Sequence, residues 1–116
     1  MSVTALGSTS GSDLLKIELC GERDAACVAP TGEIDLSTVA AVDAQLQRLL
    51  ESGARSLVLD LRRVSFMDSS GLRLILQWNE SADDQGFAFA VIQGPRPVAR
   101  VFELCGVGDR LRLRAA

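Results

Sequence analysis

The chain has no histidine and no tyrosine, and its 116 residues include a single tryptophan, Trp78. Lys16 is its only lysine. Without histidine the usual serine-protease type of triad is excluded, because a nucleophilic hydroxyl needs a base within hydrogen-bond reach and a group to orient that base. Lys16 falls on a predicted strand, with no evident route to a reactive serine. The three cysteines, Cys20, Cys27 and Cys105, are odd in number and lack CxxC spacing. Zinc sites without histidine usually draw on four cysteines. Each cysteine lies among apolar residues and reads as a buried, reduced thiol acting as a small hydrophobe. Asp35, Asp60 and Asp68 are the carboxylates nearest to a motif, but no defined pair or sugar-binding aromatic surface accompanies them. A Walker-type phosphate loop and a dinucleotide fingerprint are both missing. The expectation is a protein that is not an enzyme and has no cofactor or metal.

Other shortages narrow the partners. No apolar run approaches the ~20 residues of a membrane span. The start of the chain lacks the basic patch and long apolar core of a signal peptide, so a cytoplasmic location is expected. Twelve basic residues against fifteen acidic ones leave a net charge of −3. General binding to nucleic acid or to an acidic membrane wants a basic face instead.

What is present suits one domain with an ample core, since 47% of the residues are hydrophobic. Residues 1–13, rich in Ser, Thr and Gly, read as a mobile tail, and 14–116 as the domain. Leu15–Leu19 alternates apolar and polar, as a half-solvated strand does. Gly21–Asp24 is a turn, and Ala25–Ile34 returns as a second strand. Pro30 lies inside that run and removes a ladder donor, so a bulge or irregular edge is expected there. A helix follows, capped by Asp35 or Ser37, with Val39, Val42, Leu46, Leu49 and Leu50 on its core face and Gln45 among its solvated residues. Phe87–Ile92 is a further strand. Pro95 and Pro97 suit the opening of a last helix, which buries Val98, Val101, Phe102 and Cys105 and ends at Gly106. Leu111–Arg114 alternates as a closing edge strand. The alternation of strands and helices implies an α/β domain with a mixed, largely parallel sheet of about four or five strands, helices packed against it.

The chain is organised around Ser56–Trp78. Leu57, Val58, Leu59 and Leu61 form the apolar run of a strand covered on both faces. A short connection follows, held to the core by Val64, Phe66 and Met67. Leu72, Ile75, Leu76 and Asn79 then recur at helical spacing. Between strand and helix lies Asp68-Ser69-Ser70-Gly71. Asp and Ser are favoured helix caps because their oxygens accept the unpaired N–H groups of the first turn. In open α/β sheets, the ends of strands are also where ligands and partners meet the chain.

Val64–Leu72 resembles the signature of the anti-sigma factor antagonists, members of the STAS domain family. Gly32-Glu33-Ile34-Asp35 resembles that family's second signature and Val101–Val107 its third, and the resemblance spans roughly Leu14 to Arg114. It implies that the serine after the motif aspartate, Ser69, is phosphorylated by a cognate anti-sigma factor that is itself a protein kinase, with Ser70 the second choice. The unmodified domain would bind that anti-sigma factor and free the sigma factor, and a phosphoprotein phosphatase would restore the binding form. The implied partner surface comprises Gly32, Glu33, Asp35, Asp68, Ser69, Ser70 and Gly71. Taken singly, these residues also have structural readings: Gly32 as turn, Asp35 and Asp68 as caps, and Gly71 as a place of close helix packing. Arg73 departs from the family, which often has a small residue there. It reads as a solvated arginine or as a partner for phosphate. A different implied role is that of a phosphorylation-independent STAS module, acting as an accessory subunit of a lipid transporter or within a stress-sensing complex.

Overall fold

The computed structural model describes residues 15–114. The tail expected over 1–13 lies outside the described residues. Strand β1 (Leu15–Gly21) turns back antiparallel into β2 (Ala25–Ile34), and α1 (Val39–Glu51), β3 (Ser56–Asp60), β4 (Val64–Met67) and α2 (Ser69–Gln85) follow. The chain continues through β5 (Ala88–Ile92), α3 (Arg96–Cys105), a 3₁₀ turn (Gly108–Arg110) and the two-residue β6 (Leu113–Arg114). The sheet order is β1-β2-β3-β5-β6, with β4 on β2, and every pairing except β1–β2 is parallel. This is the expected mixed, mostly parallel α/β domain.

The alternation in β3 explains the layering. Leu57 and Leu59 are fully buried, while Ser56, Val58 and Asp60 are half-buried. Across the ladder, Leu57 stands beside Ala26 and Phe89, and Leu59 beside Val28 and Val91, so these residues share the core face. Leu15 and Ile17 extend it on β1, whereas Lys16 and Glu18 are exposed. Helices α1 and α2 pack side by side, α1 against β2 and α2 against β5. The Trp78 indole N–H joins them by donating to Asp43 Oδ1 at 2.8 Å, and its ring meets Phe87 edge-on at 6.0 Å between centroids.

Several expectations need correction. The connection before α2 contains a strand, β4, which pairs with β2 off the five-strand path β1-β2-β3-β5-β6. Val64 and Met67 are buried there, but Phe66 is 47% exposed and does not anchor the core. Pro30 sits in regular register opposite Ile17, and the irregularity falls two residues later, between Gly32 and Glu33. Residues 29–31 lie between the last β3 pairing, at Val28, and the first β4 pairing, at Gly32. The proline therefore falls in the one stretch of β2 where that side of the ladder has no strand neighbour. Gln45 is buried, not solvated.

The cysteines also differ from the reading as buried thiols. Cys20 and Cys27 face each other across β1 and β2 and are joined as a disulfide, while Cys105 is free and exposed at the end of α3. An apolar neighbourhood in sequence did not mean burial. Cys20 lies on the outward side of an edge strand, and Cys105, although at helical spacing from the buried Val98 and Phe102, is the last residue of its helix and is exposed there.

Two glycines are set by close approach. A Cβ on Gly94 would run into the backbone carbonyl of Leu61, whereas on Gly71 it would meet the flexible Met67 side chain at 2.5 Å from Cγ. A carbonyl held in the sheet region cannot swing aside as a thioether can. Gly94→Ala is expected to lower stability by about 1–3 kcal/mol, the usual range for overpacking, and by more than Gly71→Ala. Urea unfolding of the two variants checks the order.

Candidate functional site

Two segments meet at one end of the sheet. The Asp68 backbone N–H donates to the Ile34 carbonyl at 3.1 Å, and this bond continues the parallel pairing of Ile34 with Met67. The loop after β2 and the start of α2 are thereby side by side. Gly32 and Glu33 close β2, Asp35 opens the loop after it, and Asp68, Ser69, Ser70 and Gly71 form the start of α2.

The start of α2 divides its two hydroxyls. Asp68 is the N-cap in extended conformation, and its Oδ1 accepts the Ser70 backbone N–H at 2.8 Å. The same oxygen accepts the Ser70 hydroxyl in a short hydrogen bond. Ser70 is half-buried, and its oxygen is held. Ser69 is exposed, and no hydrogen bond from a described residue engages its hydroxyl. A single carboxylate thus orders the turn and leaves one alcohol free at the positive end of a helix. Gly71 is buried, with no space for a Cβ between Met67 and Ile34, which lets the helix start sit tightly on the β2–β4 pair.

The first loop is built differently from the expected helix cap. Helix α1 begins at Val39, after a turn over 36–38. Asp35 Oδ1 accepts the Ser37 backbone N–H at 2.9 Å and the Ser37 hydroxyl at 2.7 Å, closing an Asx turn ahead of the helix. Thr38 was not foreseen. It is fully buried, its hydroxyl donates to the Glu33 carbonyl at 2.8 Å, and the same oxygen accepts the Asp35 N–H at 2.9 Å. Gly32 has φ +124°, in the region that favours glycine, and its N–H donates to the Arg63 carbonyl at 3.2 Å. The Ser37 hydroxyl is the largest influence on Asp35. Against opposing desolvation, and with help from the Ser37 N–H and the Thr38 hydroxyl and N–H, it holds that carboxyl below its ordinary 3.8. Asp60 stands apart from the site: its carboxylate is engaged by Arg62 at 2.8 Å and held low by that bond.

Apolar surface flanks the serines. Leu36 is 80% exposed. It lines a hollow of about 250 Å³ between α1 and α2 together with Val39, Asp43, Ser70, Arg73 and Gln77. Leu36 lies inside a polar loop sequence, where a lone leucine was the only signal that could have pointed to it. Among the described residues no three His, Cys, Asp or Glu side chains stand together to hold a metal ion, and no helix is long and apolar enough to cross a membrane.

A mixed sheet whose end presents a capped helix start beside an Asx-turn loop is the architecture of a STAS-type α/β domain. The chain belongs to the STAS domain family: residues 18–114 match the family described as "Mlab, STAS domain". It is 28% identical over 104 residues to the anti-sigma-F factor antagonist RsfB of Mycobacterium tuberculosis, covering 90% of this chain and 84% of the relative. It is 27% identical over 82 residues to an anti-sigma-B factor antagonist of Staphylococcus aureus, covering 71% and 76%. The fold superposes with a TM-score of 0.72 and 24% identity on the structure of the anti-sigma factor antagonist SpoIIAA in its unphosphorylated form, covering 86% of this chain and 87% of that one.

Two outcomes test this geometry. Asp68→Ala is expected to cost about 1 kcal/mol, the usual loss for a helix cap, and to speed amide exchange at Ser70, both readable by denaturation and hydrogen exchange. For Asp35 the folded carboxyl titrates below its unfolded value. Its contribution to stability is therefore present above the ordinary 3.8 and is lost as pH falls through the folded value. Ser37→Ala is expected to raise the Asp35 midpoint toward 3.8 in an NMR titration.

Proposed function

We propose that this domain is an anti-sigma factor antagonist that works by partner switching, with phosphorylation of Ser69 as the switch. In its unmodified form it binds an anti-sigma factor that is also a serine kinase, and so frees the sigma factor. The kinase phosphorylates Ser69, binding is lost, and a phosphoprotein phosphatase restores it. One observation carries the choice of serine: the Ser69 hydroxyl is exposed and bonded to no described residue, while that of Ser70 is held by Asp68. The named relatives in Mycobacterium tuberculosis and Staphylococcus aureus, which are anti-sigma factor antagonists, support the role.

The physical effect of the modification separates folding from binding. Phosphate adds about −1.5 to −2 charges and three acceptor oxygens at neutral pH. At the first residue of α2 it meets the helix's positive end, where anions are tolerated. In a docked complex the same dianion lies beside the Asp68 carboxylate and has to shed water against a surface shaped for a neutral alcohol. Leaving such a charge unpaired in an interface costs about 2–5 kcal/mol. Leu36 and the hollow beside it supply the apolar contact that a partner would cover. Glu33, Asp35 and Asp68 lie on the two segments beside that hollow, and Asp43 and Arg73 line it, so a partner would meet mostly carboxylates with one arginine among them.

Membership of the STAS domain family also allows a second reading, an accessory subunit of a lipid transporter or of a stress-sensing complex whose docking does not depend on phosphorylation. Capture of partners from native cytosol separates the two: a kinase-like ATPase fits the antagonist, a transporter ATPase the accessory.

Ser69→Glu is expected to weaken binding to the cognate anti-sigma factor at least tenfold, equivalent to about 1.4 kcal/mol. Ser69→Ala should bind like the unmodified protein, and both should melt within a few degrees of it. Incubation with ATP and the kinase, followed by site mapping, should place phosphate on Ser69 and none on Ser69→Ala. Equal affinities for the two variants would sink the switch.

A further inference from the structure

The β1–β2 hairpin brings together two sulfurs that the candidate site does not use. Cys20 stands directly opposite Cys27 in the antiparallel register, with Cα atoms 4.8 Å apart. That lies within the ~4.4–6.8 Å that a disulfide spans. Both side chains leave the sheet on the side away from Leu19 and Val28, which pair next to them and face the core. Cys20 is exposed and Cys27 half-buried. Among the described residues β1 is the edge of the sheet, with β2 as its one strand neighbour. A hollow of about 430 Å³ opens beside Cys20, lined by Glu18, Asp60, Arg62 and Arg63. Its size falls within the ~300–1,000 Å³ of small-molecule sites. Its two arginines and two carboxylates stand as two ion pairs, Arg62 with Asp60 at 2.8 Å and Arg63 with Glu18 at 2.7 Å, so a charged small thiol would meet a polar wall of both signs.

We propose that Cys20 and Cys27 form a reversible dithiol–disulfide couple that exchanges with low-molecular-weight thiols of the glutathione class, Cys20 being the entry sulfur and Cys27 the resolving one. In the oxidising direction the Cys20 thiolate attacks one sulfur of the small disulfide. That S–S bond breaks, one small thiolate leaves, and Cys20 carries a mixed disulfide. Cys27 then gives its proton to solvent, and its thiolate attacks the Cys20 sulfur and expels the second small thiolate. One small disulfide is reduced to two thiols as two cysteine thiols become one disulfide. The order follows from access, because the exposed sulfur meets the reagent and the half-buried one meets only its neighbour. Exposed disulfides are also the ones thiols reopen. Cys105 is exposed but free, so it serves as an internal control that accepts a small thiol and has no sulfur to resolve it.

The test equilibrates the reduced full chain with mixtures of oxidised and reduced glutathione, quenches with acid, alkylates, and maps peptides by mass. A linked Cys20–Cys27 peptide is expected under oxidising mixtures, and the dithiol should return under reducing ones, with only a mixed disulfide on Cys105. Cys27→Ser should trap glutathione on Cys20. Cys20→Ser should leave Cys27 modified about tenfold more slowly than Cys20 is in the other variant, reflecting access. Serine is close to cysteine in size and both positions lie off the core face, so the fold stays testable, and a thermal melt of each variant confirms it. A bond that excess reduced glutathione fails to open, an absent linked peptide, or faster modification of Cys27 would each overturn the proposal.

Discussion

One hydrogen bond, from the Asp68 N–H to the Ile34 carbonyl, joins the two halves of the candidate site. It exists because β2 changes partner along its length. Its first residues pair with β3, and its last with β4, which lies further along the same side. The chain between β3 and β4 is short, so β4 delivers the start of α2 straight to the end of β2. If β4 did not pair, Asp68 would cap a helix with no loop beside it. Gly32 makes the change of partner possible, since its φ of +124° lets the backbone turn where the register shifts.

Much of this was legible in the sequence. The second strand was read with its observed bounds, Ala25–Ile34, because its apolar run ends in turn chemistry on both sides. The cap at Asp68 followed from residue type, since a carboxylate before two small residues and a helical period has few other uses. Strand β4 was not legible. Four residues with both ends buried and the middle exposed show neither strict alternation nor a continuous apolar run, and only the neighbouring end of β2 makes them a strand. The cysteine pairing was hidden for a similar reason: Cys27 lies seven positions after Cys20, and only the hairpin register sets them opposite. Thr38 looked like one more polar residue of a helix start, and its role appears only once the loop has folded over it.

The two serines show how a cap can also sort functional groups. Asp68 has one oxygen on both the N–H and the hydroxyl of Ser70, which fixes that side chain against the helix. A hydroxyl used in this way is a poor acceptor of phosphate, because transfer would first have to break a charge-assisted bond. Its neighbour has no such bond to lose. The same carboxylate that orders the turn also makes the surroundings of Ser69 acidic, so the fold and a docked partner would respond differently to a new dianion. The helix end offers it the positive end of a dipole, whereas an interface offers it Asp68.

β2 thus carries distinct chemistry at its two ends. Cys27 lies near the hairpin, and Glu33 lies six residues on, at the loop beside Ser69, which at about 3.3 Å per residue is about 20 Å away. Thiol exchange at one end therefore touches no residue of the other. Any influence between them has to travel through the register of β1 on β2. That register is strongly fixed, because a slip by one residue would turn Leu15 and Ile17 outward and bring Lys16 and Glu18 into the core. The hydrophobic face already holds the strand in place whether or not the sulfurs are bonded. The disulfide adds a covalent tie to an edge that is otherwise secured on one side only, and the geometry of the serine end remains set by Ile34, Met67 and Asp68.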